Sequence, residues 1–475
     1  MTALDDLAGR RVVVAGLGVS GRAAVAALTE RGAHLVTVDA RDPHADASDA
    51  AAFVASGGLD RVDLVVASPG WAPSGPLLAA ATGCAVPVWS EVELAWRLRR
   101  TEGPWLAGTG TNGKTTTVGM LASILSAGGQ RALAVGNVGT PVLDAVRDES
   151  LEVLAVELSS FQLHFTHSMS AQAAAVLNVA PDHIDWHGSF DAYLADKARV
   201  YARAQIACVY NCADPATERL VREADVCDGA AAVGFTLGPP AVGQVGLVED
   251  VLVDRAFTPL RHTHGAEIAV LGDLAHLGSA DAADPLTGAV PSHVVADALA
   301  AAALALAHGV APSAVSAGLR AFAPGAHRIQ TVATVDQVAY VDDSKATNAH
   351  AAAASLGAFA PGTVVWVAGG LAKGVRFDDL VQARRDRLRA VVLIGADTEP
   401  LRSALARHAP DVPVAVMDPG ETGQVMTLAV AAARRFAQPG CTVLLAPACA
   451  SMDQFTSYAE RGDAFASAAR SLPVR

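Results

Sequence analysis

The residues best suited to chemistry form a glycine-rich loop in the first half of the chain. It reads Gly-Thr-Gly-Thr-Asn-Gly-Lys-Thr over residues 108–115. Such a loop offers backbone N–H groups to phosphate oxygens, while its lysine reaches the β- and γ-phosphates and its last hydroxyl binds Mg²⁺. The sequence therefore predicts a triphosphate site, and we favour ATP. The expected ATP contacts here are Gly108, Thr109, Gly110, Thr111, Asn112, Gly113, Lys114, Thr115 and Thr116.

A second glycine-rich loop lies near the start of the chain. Gly16, Gly18 and Gly21 have the spacing Gly-x-Gly-x-x-Gly and follow the apolar run 11–15. Asp39 follows the next predicted strand, where an acidic side chain can contact a ribose hydroxyl. The pattern predicts a diphosphate site, although a tight structural turn would also use these glycines. NAD is the default ligand, but no later segment is typical of a dehydrogenase, so a different diphosphate is an alternative.

Polar side chains follow two predicted strands of the same region. Glu157 comes directly after the strand 154–156. A carboxylate there can hold Mg²⁺ beside a phosphate-binding loop, or it can simply face solvent. Asn178, Asp182 and His183 follow the next strand. Because ligands gather at the carboxyl ends of parallel strands, we expect these side chains near the triphosphate.

Strand runs that alternate with helical stretches predict an α/β protein of three domains. The predicted strands are 11–15, 35–38, 64–67, 105–107, 153–156, 173–179, 335–341, 363–367, 390–394, 413–417 and 442–445. We predict a Rossmann-like N-terminal domain (1–100), a central P-loop ATPase domain (101–325) and a Rossmann-like C-terminal domain (326–475). Residues 228–292 lack clear periodicity, so we expect loops and short strands there.

The composition favours a soluble cytoplasmic protein without nucleic-acid or membrane partners, and we expect a monomer. The formal net charge is −13, whereas a nucleic acid or an anionic membrane requires a basic face. The six cysteines form no Cys-x-x-Cys pair, which disfavours a zinc site and suits a reducing cytosol. The apolar run 298–307 is too short to span a bilayer and predicts a buried helix.

Several of these segments resemble, in the same order, those of the Mur ligases of bacterial cell-wall synthesis. They are 108–117, Glu-Leu-Ser-Ser-Phe-Gln at 157–162, 178–183, and Asp-Ser-Lys-Ala-Thr-Asn at 343–348. The closing segments 447–455 and 460–462 are similar to those of the family member that adds D-glutamate. The resemblance covers nearly the whole chain, so it does not depend on any single motif.

The resemblance implies an ATP-dependent amide-forming ligase of peptidoglycan precursor synthesis, a process that serves cell shape and division. The carboxylate of UDP-N-acetylmuramoyl-L-alanine would attack the γ-phosphate of ATP, and the amine of D-glutamate would then displace phosphate from the acyl phosphate. Lys114 and Mg²⁺ would neutralise the charge of the transferring group. The first glycine loop would hold UDP rather than NAD, and the domains would close over the site.

The resemblance also implies roles for individual residues. The expected contacts to the UDP-linked substrate are Gly18, Val19, Ser20, Gly21, Asp39, Ser68, Asn137, Ser159, Gln162 and His183. Those to D-glutamate are Lys345, Thr347, Ser451, Met452 and Tyr458. Arg328 and Asp343 would contact ATP from the C-terminal domain. The Mg²⁺ ligands would be Thr115, Glu157, His183 and Lys197, and the catalytic residues Lys114, Glu157, His183 and Lys197.

Lys197 is the least ordinary of these assignments. It lies on a predicted helix that begins at Ser189, and without the family resemblance we would expect it to face solvent. By resemblance it matches the lysine that is carbamylated in the family, and a carbamate would supply anionic oxygen to Mg²⁺. Because only a neutral amine reacts with CO₂, burial or neighbouring cations must lower the pKa of this lysine.

The chain departs from the family pattern at the expected adenine site. The family commonly has a His-Asn pair followed by a second asparagine, whereas this chain has His293, Val294 and then Asp297. We still expect Asp297 to contact ATP, with contacts to adenine that differ from those of the family.

Other functions remain open at this stage. A sibling Mur ligase or a folylpolyglutamate synthase would add a different amino acid, although the latter lacks a UDP-binding unit. A nucleotide-driven switch would bind nucleotide without forming ADP in proportion to a joined product. A dehydrogenase would bind NAD at the first glycine loop.

Overall fold

The computed structural model describes residues 6–99, 103–137, 139–278, 286–288, 290–325, 327–372, 374–418, 420 and 422–473. The chain forms two units. Unit 1 comprises the residues up to 273 together with 296–322, and unit 2 comprises 274–295 together with the residues from 323 onward. The predicted domain limits at 100/101 and at 326 fall on residues outside those described, so these limits stay a prediction.

The first glycine loop is carried by a four-stranded parallel sheet in unit 1. Its strands, in the order β2-β1-β3-β4, are β1 (Arg11–Ala15), β2 (His34–Val38), β3 (Leu64–Ala67) and β4 (Val88–Ser90). The accompanying helices are α1 (Val19–Glu30), α2 (Ala50–Ala55), α3 (Pro76–Gly83) and α4 (Glu91–Leu98). Strand order reverses beside β1, so the carboxyl end of β1 is the expected ligand crevice.

The second glycine loop is carried by a nine-stranded sheet, also in unit 1. Its strands are β5 (Trp105–Thr109), β6 (Ala132–Gly136), β7 (Val153–Glu157), β8 (Ala173–Val176), β9 (Ala207–Asn211), β10 (Ala231–Thr236), β11 (Gln244–Val248), β12 (Val251–Asp254) and β13 (Ala266–Val270). Their order is β13-β12-β11-β10-β9-β8-β5-β7-β6. β5 lies between β7 and β8, which brings the polar residues after both strands to the loop, as predicted. Strands β10 to β13 also confirm the short strands expected within 228–292.

Eight helices and two short 3₁₀ segments accompany this sheet in the described residues. The helices are α5 (Lys114–Ala127), α6 (Val142–Ala145), α7 (Ser160–His164), α8 (Ile184–His187), α9 (Phe190–Ala198), α10 (Pro215–Arg222), α11 (Ser292–Ala307) and α12 (Pro312–Ala321). The 3₁₀ segments are Arg199–Tyr201 and Leu271–Leu277. The apolar run 298–307 lies within α11 and is buried, as expected. No helix of the described residues is long and apolar enough to cross a membrane.

The two sheets of unit 1 share one hydrophobic core. Val12 and Leu28 of the first sheet and its helix belong to the same buried cluster as Leu154 and Val156 of β7. The cluster continues through Trp105, at the start of β5. The glycine loops are therefore anchored to a common packed interior, which favours a fixed geometry between them.

Unit 2 contains a six-stranded sheet. Its strands, in the order β14-β15-β19-β16-β17-β18, are β14 (Gln330–Val335), β15 (Val338–Asp342), β16 (Val364–Gly369), β17 (Leu388–Ile394), β18 (Val414–Val416) and β19 (Thr442–Leu445). Its helices are α13 (Ala349–Gly357), α14 (Asp378–Arg384), α15 (Glu399–His408), α16 (Thr422–Phe436) and α17 (Tyr458–Arg470), with a 3₁₀ segment at Arg385–Arg387. The strands from β15 onward pair in parallel, so the predicted α/β class is confirmed.

One predicted strand of unit 2 was wrong. The run 335–341 is divided between β14 and β15, which form an antiparallel hairpin. Asp336 and Gln337 make the turn with φ values of 52° and 59°. Two consecutive left-handed residues reverse the chain, and an apolar pattern alone does not reveal such a turn when no glycine marks it.

Candidate active site

The first glycine loop joins β1 to α1 and is packed too closely for side chains at two positions. A Cβ atom on Gly21 would lie 1.8 Å from the carbonyl oxygen of Gly16. Gly16 itself has φ +90°, a conformation that favours glycine. A Cβ on Gly18, in contrast, would meet no atom within 4 Å. Gly21 is thus required by packing, whereas Gly18 is not.

A cavity of about 790 Å³ opens beside this loop. Of the predicted contacts, Gly18, Asp39 and Ser68 line it, and Arg41 and Trp71 lie there too although the sequence analysis did not select them. Its volume is that of an ordinary small-molecule site. A basic residue two positions after Asp39, which itself follows the strand, was the signal that could have identified Arg41.

Asp39 holds the entrance of the first loop in place. Its Oδ2 accepts a hydrogen bond from the backbone N–H of Leu17 at 2.6 Å, and its Oδ1 accepts one from Arg41 at 2.7 Å. These backbone donors, Leu17 first, lower the pKa of Asp39. Ser68 Oγ donates to the carbonyl of Gly16 at 3.1 Å, so both predicted side chains contact the loop backbone. Val19 is 72% exposed at the start of α1.

The second loop is closed by its own side chains. Lys114 Nζ donates to the carbonyl oxygens of Gly110 and Thr111, each at 2.9 Å. The backbone N–H of Asn112 donates to Asn178 Oδ1 at 2.9 Å, which gives that predicted polar residue a role in shaping the loop. Gly108 and Thr109 belong to β5, so the loop proper begins at Gly110.

Asp297 lies against the second loop. Gly113 precedes α5 with φ +82°, and a Cβ there would be 2.2 Å from Asp297 Oδ1. Both the backbone conformation and this carboxylate therefore require glycine at position 113. Asp297 is 7% exposed. Its predicted contact with ATP stays a prediction, but the structure does bring its carboxylate to the predicted phosphate-binding backbone.

Three predicted residues meet at the end of β7. Thr115 Oγ1 donates to Glu157 Oε2 at 2.6 Å, and Asn137 Nδ2 donates to Glu157 Oε1 at 2.8 Å. Glu157 is 1% exposed. A hydroxyl and a carboxylate side by side suit Mg²⁺, which prefers oxygen ligands and binds through one or two carboxylates. The described residues contain no group of three or more His, Cys, Asp or Glu side chains placed for a metal, and only Glu157 and His183 of the predicted ligands are of those types.

His183 occupies a constrained backbone position. It precedes α8 with φ 54°, a left-handed conformation that few non-glycine residues adopt. Its ring packs on Phe161 with centroids 4.7 Å apart, and its Nε2 lies 3.6 Å from Asp182 Oδ2. Strained backbone of this kind clusters at functional sites, which agrees with the role that the family resemblance implies.

Lys197 is buried rather than solvated. It is 2% exposed, and its Nζ donates to the carbonyl of Gly110 at 2.8 Å. The ammonium also lies 4.6 Å from the ring centre of Tyr193. Burial, then the charge of Lys114, lowers the pKa of Lys197 well below its ordinary value, with Asp182 opposing. These are the conditions that carbamylation requires of this lysine.

A buried hydrogen-bond chain holds the helix that carries Lys197. Asp196 Oδ2 lies 2.8 Å from Nδ1 of His164 and 2.9 Å from Nδ1 of His187. The Nε2 of His187 lies 2.9 Å from Ser160 Oγ. Although burial alone would raise it, these histidines lower the pKa of Asp196 to about 2. These hydrogen bonds, which no sequence pattern indicated, join α7, α8 and α9 beside the site.

Ser159 and Gln162 cap α7 and connect it to α4. Gln162 Oε1 accepts from the backbone N–H and the hydroxyl of Ser159 at 2.8 and 2.9 Å. Its Nε2 donates to Glu91 Oε1 at 2.9 Å, and Gln162 is 1% exposed. Burial raises the pKa of Glu91, opposed by Ser20 of the first loop and by Gln162. The predicted contacts of Ser159 and Gln162 with substrate stay predictions.

Most of the predicted residues of unit 2 follow β15 or β19, whereas Arg328 precedes β14 and Tyr458 begins α17. Asp343 is buried at the end of β15, and burial raises its pKa to about 7, opposed by Ser355 and by the charge of Arg328. Lys345 Nζ lies 4.0 Å from the ring centre of Tyr458. After β19, Ser451 is 4% and Met452 65% exposed. The structure thus brings together Arg328 with Asp343, and Lys345 with Tyr458.

Comparisons with known proteins agree on one family. Residues 109–305 match the family described as Mur ligase middle domain, and 327–449 match the one described as Mur ligase, glutamate ligase domain. A UDP-N-acetylmuramoylalanine–D-glutamate ligase of Streptomyces avermitilis is 56% identical over 98% of both chains. One from Streptomyces coelicolor is 54% identical over 98% of this chain and 99% of its own.

A solved structure shares the fold. UDP-N-acetylmuramate-alanine ligase of Thermotoga maritima aligns with a TM-score of 0.55 at 16% identity, covering 97% of this chain and 99% of its own. The two chains therefore have the same fold over nearly their whole length.

Proposed function

Because the chain belongs to the Mur ligase family, we propose that it is an ATP-dependent ligase that joins D-glutamate to UDP-N-acetylmuramoyl-L-alanine. The observation that carries this proposal is the presence, in unit 1, of two glycine loops of different chemistry. The first loop opens on a cavity. In the second loop, the ammonium groups of Lys114 and Lys197 both donate to the carbonyl oxygen of Gly110. The relatives named above, which extend over nearly the whole chain, support the choice of substrates.

The first loop is proposed to bind the UDP portion of the substrate. Diphosphate would lie at the N-terminus of α1, where free N–H groups and the helix dipole favour anions. Asp39, which already holds the loop backbone, would accept from a ribose hydroxyl. Arg41 and Trp71 line the same cavity, and a guanidinium with an indole ring can bind and stack on a nucleobase.

The second loop is proposed to activate the substrate carboxylate. A carboxylate oxygen attacks the γ-phosphorus of ATP, the bond from that phosphorus to the bridging oxygen of ADP breaks, and an acyl phosphate forms. Lys114 exchanges its bonds to Gly110 and Thr111 for bonds to phosphate oxygens, stabilising the charge that moves during transfer. Mg²⁺, when bound beside Thr115 and Glu157, supplies further neutralisation, with His183 and carbamylated Lys197 as additional proposed ligands.

The residues after β15 and β19 are proposed to bind D-glutamate. Its neutral amine attacks the acyl carbon, the bond from carbon to the phosphate oxygen breaks, and the amine loses a proton as the amide forms. Lys345 would pair with a carboxylate, and Thr347, Ser451, Met452 and Tyr458 would orient the remainder. We propose a cytoplasmic location, because ATP and UDP-linked precursors are made there.

The Lys197 carbamate is a separate part of the proposal. The neutral amine would add to CO₂ with loss of one proton. Replacing Lys197 with alanine should lower kcat by about 10²-fold or more, and added acetate or formate should restore part of the loss by supplying the missing carboxylate. A fully active Lys197→Ala variant would remove the carbamate from the proposal.

The function is tested by product mass and phosphate release. Purified protein is incubated with ATP, Mg²⁺, UDP-N-acetylmuramoyl-L-alanine and one amino acid at a time. We expect release of one phosphate per product molecule, whose mass exceeds that of the substrate by one glutamyl residue. Turnover with L-glutamate or L-alanine but not D-glutamate would identify a sibling ligase. In a parallel reaction a folate replaces the UDP-linked acceptor, and turnover there would identify a folylpolyglutamate synthase.

A further inference from the structure

Arg461, on α17, lies beneath the strand ends that carry the proposed D-glutamate site. Its side chain is 1% exposed. Its Nε donates to Ser344 Oγ at 3.0 Å, and its Nη2 donates to the carbonyl of Ser344 at 2.9 Å. Its Nη1 donates to the carbonyl of Cys449 at 3.1 Å. A single guanidinium therefore joins the loop after β15 to the loop after β19.

The loop after β16 also packs on this guanidinium. A Cβ on Gly370 would lie 3.2 Å from Arg461 Nη1 and 2.3 Å from the carbonyl oxygen of Ala450. Leu371 and Ala450 exchange backbone hydrogen bonds of 2.9 and 3.2 Å. Because β15, β19 and β16 are neighbours in the sheet, Arg461 lies under the three loops that form its central binding edge.

Ser344 extends the contacts of Arg461 to the start of its own helix. The Ser344 hydroxyl accepts from Arg461 and donates to the carbonyl of Tyr458 at 2.7 Å. Lys345 follows Ser344 directly, and its ammonium lies on the ring of Tyr458. Arg461 is thus connected through Ser344 to the backbone beside two of the side chains assigned to D-glutamate, Lys345 and Tyr458.

The guanidinium is held by neutral acceptors rather than by an ion pair. No carboxylate of the described residues lies within ion-pair distance of it. Burial lowers the pKa of Arg461 to about 10, and Cys449, Asp453 and Asp342 oppose this shift, so it stays protonated at neutral pH. A buried cation is costly unless its donors are satisfied. The planar fork of arginine can satisfy several acceptors at once, which the ammonium of lysine cannot do with the same geometry.

We propose that Arg461 is the positioning residue of the amino-acid site. It fixes the loops that carry Lys345 and Ser451 at the separation that D-glutamate requires. This inference rests on the proposed function, because it takes those loops as the D-glutamate site. A displacement of about 1 Å in groups that position a nucleophile can cost as much as 10²-fold in rate.

The test compares Arg461→Lys with a matched control on the same helix. Arg470 is exposed and makes one bond, from Nε to the carbonyl of Val332 at 3.2 Å, so Arg470→Lys repeats the chemistry without the buried fork. We expect Arg461→Lys to raise the KM for D-glutamate roughly 10- to 100-fold, while the KM values for ATP and for the UDP-linked substrate change less than about twofold. Arg470→Lys should leave all three within about twofold.

A second variant keeps the test decisive if Arg461→Lys folds poorly. Ser344→Ala removes only the hydroxyl that links Arg461 to Tyr458, and it should raise the KM for D-glutamate by a smaller factor in the same direction. An unchanged KM for D-glutamate in a folded variant, or an equal rise in all three KM values, would overturn the proposal. If wild-type protein does not use D-glutamate, the proposed function fails instead, and this outcome is seen before any variant is made.

Discussion

The two glycine loops of unit 1 differ in what occupies the space above the backbone. The first opens on a cavity of about 790 Å³, and Asp39 holds its backbone from the side. The second is covered by Lys114 and Lys197, which donate to its carbonyls. One loop is an open, preformed binding site, while the other must exchange internal bonds for bonds to its ligand.

Glycine spacing determines the backbone geometry of each loop, but it does not determine whether the loop is open to its ligand or covered by side chains. Both loops need glycine for close packing, at Gly21 in the first and at Gly113 in the second. The neighbouring side chains then determine the chemistry. Cations over a loop suit a triphosphate whose charge changes during reaction, whereas an open cavity suits a ligand that is only held.

The largest effect is expected from removing the cation of the second loop. Lys114→Met keeps most of the apolar stem but cannot neutralise the transferring phosphoryl group, so kcat should fall about 10²- to 10³-fold or more. The dissociation constant of the UDP-linked substrate, measured by calorimetry, should change less than about twofold because the first loop is untouched. Parallel loss of UDP-substrate binding would show that the loops do not act separately.

A methyl group in the first loop should have the converse effect. Gly21→Ala places a Cβ 1.8 Å from the carbonyl oxygen of Gly16, so the turn into α1 must shift and UDP-substrate binding should weaken roughly 100-fold. Gly83→Ala is the control, since this residue lies in α3 outside the cavity lining and a Cβ there would meet no atom within 4 Å. Calorimetric titration with ATP and with the UDP-linked substrate shows which loop is affected. Equal affinity of the two variants for the UDP-linked substrate would contradict the packing argument.

Asp39→Asn should have a moderate effect on the first loop. The amide retains one acceptor oxygen in place of the two that hold Leu17 and Arg41, so the KM for the UDP-linked substrate should rise about tenfold. Because the folded state lowers the pKa of Asp39, its stabilisation is present above the ordinary value near pH 4 and is lost as pH falls below it.

Urea unfolding checks the sign of the Asp39 effect. The difference in unfolding free energy between wild type and Asp39→Asn should stay constant from pH 5 to 8 and shrink below about pH 4. A difference that grows on acidification would mean that the carboxylate destabilises the loop.

The smallest effect is expected at Glu91, which is hydrogen-bonded to Ser20 of the first loop and to Gln162 of α7. Burial raises its pKa, so the folded state disfavours its ionisation and wild-type stability declines as pH rises above the ordinary value near 4.5. Glu91→Gln conserves the side-chain volume and keeps an acceptor oxygen for Gln162. The KM values for ATP and for the UDP-linked substrate should therefore stay within about twofold of wild type. Unfolding free energies at pH 5 and 8 should show a smaller decline for the variant than for wild type.

Elements built from local patterns were predictable from the sequence. Strand β3 has the predicted bounds, and its four consecutive apolar residues are all buried, as expected for a parallel sheet whose two faces are covered. The helix after the second loop buries Val118, Leu121, Ile124 and Leu125, at helical spacing. Glu157 and Asn178 lie on either side of β5 because parallel order follows from the β–α alternation.

Contacts between distant positions were not predictable from pattern. Lys197 reaches a carbonyl 87 positions earlier, and only the packed structure shows that this lysine leaves solvent. Arg461 looks from its sequence like an ordinary helix arginine, and its burial depends on three loops folding over it. The hydrogen bonds from Asp196 to His164 and His187 likewise join residues of separate helices. In each case tertiary packing, rather than local preference, determines the environment.

The core shared by the two sheets of unit 1 has a practical consequence for ligand screening. A compound that binds only the native cavity beside β1 stabilises every group that unfolds together with it. Since Val12 and Val156 belong to one buried cluster, heating should melt the surroundings of both loops in one transition. A rise in melting temperature would therefore reveal that a nucleotide-like compound binds, without revealing which loop it occupies. Competition with ADP or UDP would be needed to assign it.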